Sequence, residues 1–132
     1  MKISTNYNRL IFKLSNICLV ILYLYPGSIL GFFFYNDFSE QPQITSDFFN
    51  ISSNHIYAFF LISFLGLFSF KSKKRLFVYL ICLSMVLEFF HLVIPNRSFQ
   101  IGDLNGNLLG TIAPFLIYKV YEILFRTKKK IK

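Results

Sequence analysis

Six polar or ionisable side chains lie within or directly beside otherwise apolar segments of this chain. They are His55, Glu88, His91, Arg97, Asp103 and Asn107. Placing an ionised side chain in an apolar, membrane-like segment costs about 2.5–3.5 kcal/mol, so such groups are kept for pairing or for function. Glu88 and His91 are three residues apart, which places them on one face of a helix. A carboxyl group beside an imidazole can accept and donate protons there.

A second polar stripe follows in the next apolar segment. Asp103, Asn107, Gly110 and Pro114 are spaced i, i+4, i+7 and i+11, so they share one face of a helix. Arg97 lies just before that helix, and the positive end of the helix dipole would add to its field. This combination indicates a site that could attract an anion.

The elements that must position these residues follow from the composition. The chain has 132 residues, of which 55% are hydrophobic, 20% aromatic and only 15% charged. A soluble domain of this size would expose large apolar patches, and it would have too few charges to cover its surface. These proportions exclude a disordered chain and argue strongly against a soluble enzyme, and they predict an integral membrane protein.

Four apolar segments approach the roughly 20 residues that a helix needs to cross a bilayer. They cover residues 14–34, 53–70, 76–94 and 104–125. Pro26 and Gly27 interrupt the first segment, where we expect a kink, and no A-x-A-like cleavage site follows it, so we expect it to be retained. The predicted fold class is an all-α transmembrane bundle of four helices in a single domain.

The distribution of charge predicts the orientation of this bundle. Twelve of the 14 basic residues lie in three stretches without any acidic residue: the N-terminus, residues 71–75 and the C-terminus. Under the positive-inside rule, both termini and the 71–75 loop are cytoplasmic, and the two acid-containing loops face outward. The net charge of +8 is therefore explained by membrane topology, and we predict membrane lipids rather than nucleic acid as partners.

This topology places all six polar residues in the outer half of the bundle, although they come from three helices. One interpretation is that they pair with one another and hold the helices together. Another is an outward-facing pocket for an anionic headgroup, with Arg97 attracting the anion and Glu88 and a histidine moving protons. A metal site formed by Glu88-x-x-His91 with His55 and Asp103 is weaker, because HExxH spacing is absent. We therefore predict no metal and no other cofactor.

The stretch LEFFHLVIPNRSFQIGDLNGNLLG resembles the signature of the VanZ-like membrane proteins. That signature has a Glu and a Gln one turn apart, then an Arg, then Asp-x-x-x-Asn-x-x-Gly. The matching residues, including a histidine that the family often has before the motif, are His55, Glu88, Arg97, Asp103, Asn107 and Gly110. The resemblance covers residues 54–118. His91 stands where the family usually has Gln, and Pro114 stands where a second Gly is common.

The resemblance implies a small multi-pass protein of the bacterial cytoplasmic membrane, in a family whose name-giving member is associated with resistance to the glycopeptide teicoplanin. The predicted function is to bind or process an anionic envelope lipid or glycolipid. In this prediction Glu88, His55 and His91 are catalytic. The substrate-binding residues would be Arg97, Asp103, Asn107 and Gly110. The alternative is a non-enzymatic structural or partner-binding membrane subunit, so enzymatic activity remains open.

Overall fold

The computed structural model describes residues 2–126, with side chains placed for residues 6–125, and this part of the chain contains no β-strand. The helices are α1 (Lys2–Leu24), α2 (Ile29–Tyr35), α3 (Ser53–Ser69), α4 (Lys73–Phe90) and α5 (Ile101–Arg126). The fold is therefore all-α, as predicted. The basic tail from Lys128 onward, which contributed to the predicted orientation, lies outside the described residues.

The first predicted segment, residues 14–34, is two separate helices. α1 begins at Lys2 and ends at Leu24, and α2 begins only at Ile29. Pro26 restricts the residue before it to extended conformations, and Gly27 has a φ of 117°, so the helix stops where a kink was expected. Ser28 then starts a new helix, because its Oγ accepts a hydrogen bond of 2.8 Å from the Gly31 N–H.

The other three helices agree with the predicted segments to within about four residues at each end. α3 ends at Ser69, one residue earlier than predicted, and α4 covers Lys73–Phe90 rather than 76–94. After α4 the chain turns through residues 91–97, with Asn96 in the left-handed region at a φ of 60°. α5 then starts three residues earlier than predicted and contains Pro114. The link between α4 and α5 is therefore a compact turn rather than a continuation of α4.

α5 packs most extensively against α3, and two glycines allow this contact. A Cβ added at Gly106 would lie 2.6 Å from the Ser52 carbonyl oxygen, and one at Gly110 would lie 2.3 Å from the Ile56 carbonyl oxygen. The two backbones therefore touch directly, as in membrane helix pairs that use small residues. This contact fixes the position of the start of α5 relative to the start of α3.

α1 and α4 complete the bundle around an apolar core. The buried hydrophobic cluster comprises Phe12, Leu19, Tyr23, Phe59, Ile62, Leu76, Leu80 and Leu87. Many large apolar side chains point away from it; Leu14, Ile17 and Ile21 along α1, for example, are each more than half exposed.

Within residues 2–126, two helices are long and apolar enough to cross a membrane. The spans are Asn6–Leu24 in α1 and Ile101–Phe125 in α5, and only 17% of the most apolar stretch of each is buried inside the protein. The core helix of a soluble protein would be mostly buried, so the low buried fraction favours membrane association. α3 is equally apolar in character but, at 17 residues, is shorter.

Candidate functional site

A group of polar side chains lies at one end of the bundle, where α1 and α4 end and α3 and α5 begin. We call it the polar cluster. It consists of Tyr23, His55, Glu88, His91, Asp103 and Asn107. Five of these six residues were predicted to share a site from their place in the sequence, and the structure brings those five together.

His55, Glu88 and Asp103 form the centre of the polar cluster. One potential ligand atom from each of the three side chains lies within 4.8 Å of the other two. His55 Nε2 is 3.7 Å from Asp103 Oδ2. Because the three residues come from α3, α4 and α5, the site depends on the packing of all three helices.

Asn107 determines which nitrogen of His55 carries the hydrogen. Asn107 Oδ1 accepts a hydrogen bond of 2.7 Å from the Tyr23 hydroxyl and lies 3.1 Å from His55 Nδ1. A carbonyl oxygen can only accept, so Nδ1 is the protonated nitrogen of His55. In the neutral imidazole, Nε2 then presents its lone pair to Asp103 Oδ2.

Glu88 and His91 form a buried pair with a shared proton. His91 Nε2 is 3.1 Å from the Tyr23 carbonyl oxygen, so this nitrogen must donate. His91 Nδ1 is 3.3 Å from Glu88 Oε1, and the proton between them comes from either the imidazole or the carboxyl group. The backbone N–H of Gln100 also donates to Glu88 Oε1, over 3.0 Å. His91 therefore has both ring nitrogens engaged, and Glu88 links α4 to the start of α5.

Two buried polar atoms of the polar cluster have no hydrogen-bond partner among the described residues. They are Glu88 Oε2 and Asn107 Nδ2, and both side chains have 0% exposed surface. Buried polar groups in native proteins almost always have a partner, so each exception calls for an explanation. The polar cluster therefore has unused capacity to bind a further atom.

Arg97 was predicted to bind substrate, but its hydrogen bonds in the structure go to the end of α1. Its Nη2 donates to the carbonyl oxygens of Leu22 (3.2 Å) and Gly27 (2.6 Å), and its Nε donates to that of Tyr25 (3.3 Å). Burial lowers the pKa of Arg97, and the nearby Asp103 carboxylate raises it; an arginine remains charged in either case. The guanidinium thus caps the negative end of the α1 dipole.

A pocket of about 570 Å³ opens beside Arg97. Its lining residues come from the α1–α2 break, the segment after α2 and the α4–α5 turn: Pro26, Gly27, Ser28, Asn36, Asp37, Phe38, Ser39, Gln41, Asn96 and Arg97. Asp37 Oδ1 accepts hydrogen bonds of 2.7 Å from the Ser39 hydroxyl and backbone N–H, and these bonds lower the pKa of the Asp37 carboxyl group. The pocket therefore carries one cation and one anion on a mostly neutral polar wall.

Gly110, the remaining predicted site residue, lies in the contact between α3 and α5 rather than among the polar side chains. Its nearest neighbours there are Ile56, Phe59 and Phe60. The sequence prediction also omitted Tyr23, whose hydroxyl donates to Asn107 and whose carbonyl oxygen accepts from His91. One signal was present: Tyr23 lies three residues before Pro26, where a helix is expected to bend or stop, whereas His55 opens a later segment.

No protein-family model, curated protein or solved structure matches this chain.

Proposed function

We propose that this chain is a VanZ-like multi-pass protein of the bacterial cytoplasmic membrane and binds the anionic headgroup of an envelope lipid at the outer ends of its helices. The observation that carries the proposal is the pocket of about 570 Å³ that Arg97 lines. Arg97 uses its Nε and Nη2 atoms on carbonyl oxygens of the last turn of α1 and of the α1–α2 break, and its Nη1 atom makes no hydrogen bond to the described residues. That atom can donate to a phosphate oxygen.

The distribution of cations supports this orientation. At the end of the bundle opposite the polar cluster, Arg9 Nε donates to the Ser69 carbonyl oxygen over 3.3 Å. Lys73 Nζ donates to the carbonyl oxygens of Leu67 and Phe70 at the same end. Basic residues favour the cytoplasmic side of a membrane, so the polar cluster and its pocket would face outward. The outer leaflet then supplies lipid headgroups at the level of the pocket.

The geometry of the pocket suits a headgroup better than a whole lipid. Its wall is formed by loop residues and helix ends, whereas the exposed apolar faces of α1 and α5 continue away from it. A lipid could place its phosphate near Arg97 and its acyl chains along these faces. The charge of Asp37 would disfavour phosphates that approach from the opposite wall and would orient the headgroup towards Arg97.

Charge variants at Gln41 test the proposal. Gln41 lines the pocket, and its side chain makes no hydrogen bond to the described residues. Gln41→Glu should reduce the retention of phosphatidylglycerol by the detergent-extracted protein several-fold, and Gln41→Lys should increase it. Native mass spectrometry counts the bound lipids. Ser46→Glu makes a similar charge change in the same exposed segment outside the pocket, and it should leave retention unchanged.

The same measurement distinguishes the competing function, a structural or partner-binding membrane subunit. Several aromatic side chains after the α1–α2 break are strongly exposed, among them Phe33 (76%), Phe34 (71%) and Phe49 (83%). A subunit would use this surface for assembly. In that case both Gln41 variants would retain as much lipid as the native chain, and replacing the exposed phenylalanines would change the oligomeric state instead.

A further inference from the structure

We propose that His55, Glu88 and Asp103 bind one divalent transition-metal cation of the zinc class. One donor atom from each residue lies within 4.8 Å of the others, and the three residues come from three different helices. Imidazole nitrogen and carboxylate oxygen are common ligands of Zn²⁺. The expectation of no metal was based on the absence of HExxH spacing, which does not give the distances between donor atoms on three different helices.

The hydrogen bonding of His55 prepares it as a ligand. Its Nδ1–H is held by Asn107 Oδ1 at 3.1 Å, and Asn107 is itself fixed by the Tyr23 hydroxyl. Its Nε2 lies 3.7 Å from Asp103 Oδ2, and in the neutral imidazole, with the proton on Nδ1, Nε2 presents a lone pair to that oxygen. A cation between them would make this contact favourable. Metal-binding histidines in proteins typically donate their other ring N–H to an oxygen in this way.

Glu88 supplies the second, independent observation. Its side chain is fully buried, and its Oε2 atom has no hydrogen-bond partner among the described residues, whereas Oε1 accepts from Gln100. Asp103 brings another carboxyl group into the same confined space. Two neighbouring carboxylates repel each other, and a bound cation compensates for both. Arg97 interacts electrostatically with both carboxylates, but its hydrogen bonds go to the carbonyl oxygens of Leu22, Tyr25 and Gly27 and not to either carboxyl group.

The distances suit a small cation after a modest adjustment. Ligand atoms about 2.1 Å from a tetrahedral Zn²⁺ lie about 3.4 Å apart. The donor atoms lie within 4.8 Å of one another, so the widest separation must close by up to about 1.4 Å. The imidazole ligand favours Zn²⁺ over Mg²⁺, Ca²⁺ and Mn²⁺, which prefer oxygen ligands. Three protein ligands leave a coordination position for an oxygen atom from outside the protein. The inference does not depend on a lipid, because the three side chains alone hold the ion.

Metal binding to the untagged, full-length protein in detergent tests this inference. After treatment with a chelator and its removal, the protein is titrated separately with Zn²⁺, Mn²⁺ and Co²⁺, and bound metal is measured by equilibrium dialysis. We expect one Zn²⁺ per chain. Changes to residues around metal ligands weaken binding about 10–100-fold, so Asp103→Asn and His55→Ala, which remove ligands, should weaken it by at least this factor. Glu40→Gln, a carboxyl change in an exposed segment, should have no effect.

A spectroscopic measurement on the native chain keeps the test independent of the stability of the variants. The X-ray absorption spectrum of the Zn²⁺-bound protein should show one histidine among ligands that are otherwise oxygen. The inference is overturned if no stoichiometric ion binds, if the spectrum shows no histidine, or if Asp103→Asn binds Zn²⁺ as tightly as the native chain. Gln41 variants separate this result from the lipid proposal, since they lie outside the metal ligands and should not change metal affinity.

Discussion

Variants of Arg97 distinguish most clearly between a ligand-binding and a structural role for a residue of the predicted site. The resemblance to VanZ-like proteins implied that it binds substrate, whereas three of its hydrogen bonds hold the end of α1. Replacing it with alanine would leave the carbonyl oxygens of Leu22, Tyr25 and Gly27 without this donor. It would also remove the positive charge from the negative end of the α1 dipole.

The expected loss of stability follows from these contacts. Hydrogen bonds that involve a charged group each contribute about 1.5–3 kcal/mol, and water can replace part of this because Arg97 is half-buried. We expect Arg97→Ala to lower the free energy of unfolding by about 2–4 kcal/mol. Arg97→Lys keeps the charge but lacks the planar fork that reaches several carbonyl oxygens, so it should lose about 1–2 kcal/mol. The expected order of stability is therefore Arg, Lys, Ala.

Unfolding of the detergent-solubilised protein by a denaturing detergent, followed by circular dichroism, would measure this order. Arg75→Ala is the matched control, because Arg75 is exposed and its Nε donates only to the Ser72 hydroxyl, over 3.3 Å. That change should cost less than about 0.5 kcal/mol, as surface substitutions usually do. If Arg97→Ala is as stable as the native chain and only loses lipid, Arg97 is a ligand-binding residue and the capping argument is wrong.

Two further predictions concern packing and orientation. Gly110→Ala should lower the free energy of unfolding by about 1–3 kcal/mol, because the added Cβ meets the α3 backbone. Leu109→Ala, on the exposed side of α5, should cost less in the same unfolding assay. Equal losses would contradict direct backbone contact between α3 and α5. In a chain with both native cysteines replaced by alanine, Cys at Ser46 should react with an impermeant thiol reagent in intact cells, and Cys at Ser72 should not. The reverse pattern would invert the proposed topology.

Part of the polar cluster was predictable because its residues lie at segment ends. His55 opens one apolar segment, Glu88 lies near the end of the next, and Asp103 opens the last. Antiparallel helices joined by short links bring such ends to one level, so the assembly of the three follows from their order along the chain. The distances between their atoms could not be predicted, because they depend on the rotation of each helix about its axis.

Other features depended on competition between neighbouring groups, which the sequence does not resolve. Arg97 could reach either the polar cluster or the carbonyl oxygens of α1, and the choice depends on where α1 ends. The residues around Pro26 and Gly27 could form a kink or a break, and the break follows from the φ of Gly27 and the cap provided by Ser28. Gly110 fitted a site motif equally well as a packing motif. The structure shows that Gly110 serves packing, because a Cβ added there would lie 2.3 Å from the Ile56 carbonyl oxygen of α3.

The two proposals together account for an otherwise unfavourable arrangement of charge. Glu88 and Asp103 lie close to each other, and both interact electrostatically with Arg97, which lines the pocket. Two carboxylates beside a pocket for an anionic headgroup would repel it. A divalent cation held by His55, Glu88 and Asp103 reverses this effect, because it cancels the carboxylate charge and leaves a position for a phosphate oxygen. The metal and the guanidinium of Arg97 would then attract the headgroup from neighbouring positions at the same end of the bundle.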